Sequence, residues 1–218
     1  MNHFKVRSKR VGANGVPNHT LALLILDGGL NVPSAIDYIV ERVLGAGKLP
    51  VLVLGPTSPY DLQRMNECSG IAWVAPFAVS SKSQGFTTIS SENLIDINLF
   101  VAGFDGQFAP SKVAIVGDFL DNIMPTTPFE AFARFYSGFA ARIKEQGRTA
   151  VLLLKSEMHD QRKVAISKRH ADVLLDFTDN TIKFADMRNT LNASKGIRRQ
   201  VTDIDKWPTL IQELLEAK

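Results

Sequence analysis

Short runs of consecutive apolar residues, closed by glycine or aspartate turns, alternate along the chain with segments whose apolar positions recur at helical spacing. The first run is Leu21–Leu26, LALLIL, followed at once by Asp27-Gly28-Gly29. An unbroken apolar run of this length predicts a strand buried on both faces. From Ser34 to Ala46, the residues Ile36, Ile39, Val40, Val43 and Leu44 keep helical spacing, and Gly45 and Gly47 mark the stop. Val51–Leu54, behind Pro50, is a second buried strand. Strand, glycine turn, helix and strand in this succession predict a βαβ unit, a parallel pair with a right-handed crossover.

The alternation continues. Pro59–Cys68 predicts a short helix and Ile71–Val74 a strand, and residues 75–89, rich in Ser, Thr, Lys and Gly, predict a loop. Ser90–Gly103 predicts a helix capped by Ser90 or Ser91, and Lys112–Val116 a buried strand ending in Gly117-Asp118. Pro128–Gln146 predicts a long amphipathic helix whose stripe, Phe129, Phe132, Phe135, Tyr136 and Phe139, belongs to a core or a subunit interface. Thr149–Leu154 is again a buried strand. Beyond it, Val173–Phe177, Ile182–Met187 and Ile197–Thr202 are shorter and partly alternating, which predicts antiparallel returns at one side of the sheet. Pro208–Ala217 predicts a terminal helix. The expected fold is α/β: a mostly parallel central sheet with antiparallel C-terminal strands and helices on both faces. Residues 1–218 read as one domain, with a basic segment at 1–16 and the C-terminal helix within 205–218.

Composition narrows the chemistry. With 45% hydrophobic and 22% charged residues, the chain is an ordinary globular one. Its one cysteine, Cys68, excludes an internal disulfide and fits a reducing cytoplasm. His3, His19, His159 and His170 show no metal-binding spacing, so no metal site is expected. The net charge of +3 is gathered into clusters: Lys5, Arg7, Lys9 and Arg10 early, then Arg162, Lys163, Lys168, Arg169, Arg198 and Arg199. Such clusters meet nucleic acid or an acidic partner, or else form a solvated face. No apolar run reaches the ~18 residues of a membrane span, so no membrane insertion is expected.

The segment Leu26-Asp27-Gly28-Gly29-Leu30-Asn31-Val32-Pro33-Ser34 stands where a phosphate-binding loop would stand, between a buried strand and a helix. Such a loop works through backbone N–H groups ahead of a helix N-terminus, a lysine on the phosphates and a hydroxyl on Mg²⁺. Gly28, Gly29, Asn31 and Ser34 are the candidate binding residues. Pro33, however, occupies the lysine's position and offers neither an N–H nor a charge. Asp27 adds a negative charge at the entrance. The competing reading is a tight turn at Asp27-Gly28-Gly29 with Asn31 or Ser34 as a helix cap.

With these segments in order, the chain from about 17 to 204 resembles the RecA superfamily, in its archaeal KaiC-like branch. Pro17 through Ser34 is similar to the lead strand and Walker A loop. SENLIDINLFVAGF at 90–103 is similar to the helix before the Walker B strand, and KVAIVGDFLDNIM at 112–124 to that strand itself. The resemblance implies that Asp118 is the aspartate that positions Mg²⁺. KSEMHDQRKVAISKRHADVLLDF at 155–177 resembles the run from a central strand through a His-Asp turn to an ADxxhxh strand. IKFADMRNT at 182–190 and KGIRRQVTDI beyond it resemble the strands that carry a KMRG motif.

The departures from that family bear on function. The Walker A lysine is absent. Leu54-Gly55-Pro56-Thr57-Ser58 holds no carboxylate where the family places its catalytic glutamate. Asp186 replaces a lysine that the family directs at a neighbouring subunit's nucleotide, while Arg188 remains as a candidate intersubunit residue. Phosphoryl transfer depends almost wholly on positioning and electrostatic stabilisation, so losing these groups together predicts no fast hydrolysis. The expectation is a non-hydrolysing RecA/KaiC-like regulatory or assembly subunit, with no catalytic residue and no bound cofactor, ATP with Mg²⁺ being the ligand the resemblance alone offers. It would meet protein partners or its own copies through RecA-type interfaces. One alternative is an ATPase with an unusual loop, in which Lys48, Lys82 or a neighbour's cation replaces the lysine. Another is a DNA- or RNA-binding module using the basic clusters. Among single residues, His159-Asp160 reads either as a proton-transfer pair or, by Asp160, as a helix N-cap.

Overall fold

The computed structural model describes residues 20–26, 32–45, 47–53, 72–74, 94, 97–98, 109–178, 181–186 and 197–200. In chain order the elements are β1 (Leu21–Leu26), α1 (Val32–Gly45), β2 (Leu49–Val53), β3 (Ala72–Val74), β4 (Val113–Gly117), α2 (Leu120–Thr126), α3 (Phe129–Glu145), β5 (Thr149–Lys155), α4 (Gln161–His170), β6 (Val173–Thr178), β7 (Thr181–Asp186) and β8 (Ile197–Gln200). Short 3₁₀ turns stand at Pro110–Lys112 and Ser156–Met158. The strands form one sheet in the order β3-β2-β4-β5-β1-β6-β7-β8. From β3 to β6 neighbours run parallel; β7 and β8 return antiparallel.

Alternation along each strand divides the core between the two faces of the sheet. Leu23 and Ile25 of β1 and Leu152 and Leu154 of β5 face a cluster with Phe132, Phe135, Tyr136 and Phe139 of α3 and Ile123 of α2. Leu24 and Leu26, with Val151 and Leu153, face the opposite cluster, built on Ile36, Ile39, Val40 and Val43 of α1. Phe132, Phe135, Tyr136 and Phe139 of the α3 stripe are therefore core, while Phe129 is half-buried with the Arg162 guanidinium over its ring. The core rings pack on one another, Phe132 stacked on Tyr136 at 5.7 Å and Phe119 edge-on to Phe139 at 5.9 Å. Runs covered on both faces have no polar side to expose, which is why β1, β4 and β5 read as unbroken apolar segments.

Two helix–strand joints follow one plan. Gly47 and Gly147 take positive φ, 68° and 69°, where a side chain would be strained. The next amide in each case reaches back to close the helix, Lys48 N–H to the Val43 carbonyl at 3.1 Å and Arg148 N–H to that of Ile143 at 2.9 Å. Both Lys48 and Arg148 are buried.

Boundaries depart from the sequence expectation in places. α1 begins at Val32 rather than Ser34, and β2 begins at Leu49, with Pro50 inside it. A proline is tolerated there because β3 pairs only with Val51–Val53, so Pro50 has a described neighbour on the β4 side alone. α2 and α4 are helices that periodicity did not indicate. Leu94, Ile97 and Asn98 are helical, as expected of that segment, and the Arg142 guanidinium donates to the Asn98 carbonyl at 2.7 Å. The helices expected at 59–68 and 208–217, the loop at 75–89 and the N-terminal segment lie outside the described residues.

Candidate functional site at the carboxyl edge of the sheet

The parallel strands end along one edge of the sheet, and the connections that leave it diverge. β1 leads through α1 on one face to β2, two strands beyond β5. β4 leads through α2 and α3, on the other face, to β5. Ligands of open α/β sheets bind outside the carboxyl ends where connections part in this way.

The sequence-predicted residues fall at or near this edge in unequal detail. Leu26, the last residue of β1, lies between Lys155 of β5 and Phe177 of β6. Gly28, Gly29 and Asn31 follow it but lie outside the described residues, as does Arg188. α1 starts at the edge with Val32, which is buried in the α1-side core, followed by Pro33 and Ser34 in the first turn. Asp118 stands one residue beyond β4 and is 4% exposed; its carbonyl accepts the Asp121 amide at 3.2 Å as the chain turns into α2. Asp186 ends β7 opposite Val173, the first residue of β6. Asp186 is therefore at the amino edge, away from the end of β1 at Leu26.

Next to Asp118 the structure assembles a group that sequence reasoning missed. The Asp121 carboxylate, in the first turn of α2, accepts the Lys155 backbone N–H at 2.9 Å and lies 2.8 Å from Nε2 of His159. The His159 side chain is 2% exposed and that of Asp121 20%. The tautomer with hydrogen on Nε2 fits this contact, and Nδ1 is then a buried acceptor with no partner. His159 does not pair with Asp160, so the proton-transfer reading of that dipeptide is corrected. Asp160 is the N-cap of α4, accepting from the Arg162 amide at 2.9 Å, as its residue type predicts. The Arg162 guanidinium also holds the Asp160 carboxyl below the usual carboxylate range. No local signal joins Asp121 to His159, 38 positions on; the pair exists because β4 and β5 are neighbours.

Lys48 was a candidate substitute for the missing phosphate cation, and the fold removes it. It precedes β2 at the amino edge, where its Nζ donates to Oγ1 of Thr149, the first residue of β5, at 2.8 Å. The depth of the sheet, roughly 15–20 Å for strands of this length, separates it from the carboxyl end of β1. Lys82 lies outside the described residues. The basic cluster of α4 is likewise engaged. The buried Lys163 ammonium donates to the carbonyls of Met124 and Thr127 at the end of α2, Arg162 pairs with Asp160, and Lys168 pairs with Asp176 at 3.3 Å. Among the described residues no three His, Cys, Asp or Glu side chains converge on a metal position.

Known structures show the same architecture. The chain superimposes on the KaiC-like protein PH0186 of the hyperthermophilic archaeon Pyrococcus horikoshii OT3, with a TM-score of 0.52 and 15% identity over 89% of this chain and 90% of that one. The fold is RecA-like. An uncharacterized protein of the same organism, PH0321, solved with an unknown peptide, gives a TM-score of 0.57 and 13% identity over 85% of this chain and 93% of its own. A third Pyrococcus horikoshii OT3 protein, PH0250, gives 0.54 and 14% over 83% and 92%. No family model matches the chain, and no curated protein sequence does. β1 ends at Leu26, α1 begins at Val32, and Asp118 directly follows β4.

Proposed function

We propose that this chain is a non-hydrolysing RecA/KaiC-like protein, a regulatory or assembly subunit whose nucleotide position has lost its chemistry. The observation that carries this reading is Pro33 in the first turn of α1, at the carboxyl edge beside β1. A phosphate there needs an amide donor and a cation, and proline supplies neither. Two further absences act in the same direction. The segment 54–58 that follows β2 carries no carboxylate to serve as a base, and Asp186 puts a negative charge where the family resemblance expects a cation. Lys48 is too far away to compensate.

What remains is the fold and its surfaces. Head-to-tail contact between copies, or with an active relative, uses the same architecture without hydrolysis. Asp186, at the amino edge, is the position that the family resemblance would direct at a neighbouring copy. Nucleic acid is the weaker partner class, because three of the four cations on α4 are committed to internal or local contacts. No helix among the described residues is long and apolar enough to cross a membrane.

The test is thermal unfolding with and without ATP and Mg²⁺, joined to sedimentation over a range of protein concentrations. A ligand at a hundredfold excess over its dissociation constant stabilises by about 2.7 kcal/mol. No nucleotide-dependent shift is expected, together with a mass that rises with concentration or on adding a relative. A magnesium-dependent ATP shift of that size would overturn the reading.

A further inference from the structure

The carboxyl edge carries a device that the proposed function does not use. Asp121 fastens three points that belong to different parts of the chain: its own turn out of β4, the end of β5 through the Lys155 amide, and the approach to α4 through His159. Lys155 is also the residue in register with Leu26, where the candidate loop leaves β1. A single carboxylate therefore couples the turn that holds Asp118, the exit of β5 and the base of α4.

We infer that Asp121 and His159 form a strap across the carboxyl edge, and that residues 155–160 swing away from Asp121 as a local unit while the sheet beneath and the buried Phe119 and Leu120 stay folded. Two features distinguish this unit from its surroundings. The strap is polar and its closed state leaves the Nδ1 atom of His159 buried without a partner. Opening hydrates that acceptor and returns the carboxylate to water, so the closed state holds less tightly than its short contacts imply. The strands below are apolar on both faces, from Val113 to Val116 and from Ala150 to Leu154, and separate only with the whole core. Local opening of a polar rim above a cooperative core is the pattern expected when stability is uneven. This inference does not rest on the nucleotide reading, since a strap opens whether or not ATP binds.

Native-state amide exchange on the full chain tests it. In the wild-type protein, exchange at the Lys155 and His159 amides is expected to be nearly independent of denaturant and at least tenfold faster than at Ile115 or Leu152, whose exchange follows global unfolding. Asp121→Ala is expected to speed the Lys155 amide a further tenfold or so while Ile115 and Leu152 keep their rates. His159→Gln, which retains a donor for Asp121, is expected to preserve most of the protection, and His159→Leu to lose it. The same denaturant dependence at Lys155 as at Leu152 in the wild type would overturn the inference. So would an Asp121→Ala variant that accelerates every sheet amide equally. The wild-type measurement decides the matter even where a variant does not fold.

Discussion

Gly117 is the last residue of β4, and a methyl group built on its Cα stands 2.1 Å from the carbonyl oxygen of Val53 and 3.3 Å from the Phe119 ring. The nearest obstacle is backbone, which cannot turn aside as a side-chain tip does. Gly117→Ala must therefore push β4 from β2 just where the chain enters the Asp118 turn. It is expected to lower unfolding free energy by about 3 kcal/mol, at the upper end of overpacking effects. Gly138 is its control: it lies on the exposed side of α3 with nothing within 4 Å of an added Cβ. Gly138→Ala is expected to raise stability by roughly 0.5–1 kcal/mol through helix propensity alone. Urea unfolding of both variants checks the contrast, and equal effects would refute the packing argument. At this scale the sequence yields what is local. The cap at Asp160 follows from residue type. The partner of His159, the carbonyls held by Lys163 and the Leu21 amide that the Asp172 carboxylate accepts at 3.0 Å depend on distant contacts that no short window contains.

Elements were legible in proportion to how much apolar surface they bury. α3 carries a full stripe from Phe132 to Ile143, and its extent agrees with the periodicity within a residue at each end. α4 buries only Lys163, Val164 and Ser167, and it holds its place by capping and by Lys163 rather than by a stripe. α2 is seven residues long with Pro125 inside it, too short and too irregular for a period to show. The junction of α3 and α4 is also where acid acts. His170, in the last turn of α4, has Nε2 3.0 Å from Oγ of Ser137 and its ring edge-on to Tyr136. Burial, then Lys144 and Arg169, lower its pKa below the ordinary value, although a helix C-terminus alone would raise it. Between the lowered folded pKa and about 6.5, the unfolded chain binds more protons than the native one. Stability contributed by neutral His170 is thus present at neutral pH and lost as pH falls through that window. His170→Gln, which keeps a partner for Ser137, is expected to flatten the fall in melting temperature between pH 7 and pH 5. A variant with the wild-type slope would assign the acid sensitivity elsewhere.

For the whole molecule, alternation of strands and helices predicts a parallel α/β sheet, but the strand order does not follow from it. β1 lies between β5 and β6, more than 120 residues away in sequence, and buried apolar strands of similar composition carry no register of their own. That order is set by the folded sheet, β3-β2-β4-β5-β1-β6-β7-β8. Strand order then fixes which charges share an edge, and this is where Lys48 changes meaning. A cation that sequence alone allowed on the phosphate is a buried ammonium at the far edge, whose partner among the described residues is one neutral hydroxyl. Burial lowers its pKa below the ordinary lysine value. The native chain therefore binds fewer protons than the unfolded one between that lowered pKa and about 10.4, and wild-type stability rises with pH across the window. Replacing a buried, poorly compensated charge by an apolar side chain of similar length is neutral to stabilising. Lys48→Met is expected to be more stable than the wild type by about 1 kcal/mol at pH 7. The gap should shrink as pH approaches 10, because the wild-type lysine is then neutral as well. Paired urea titrations at the two pH values measure this directly. A variant that is less stable at pH 7, with a gap indifferent to pH, would mean that the ammonium is held by more than Thr149.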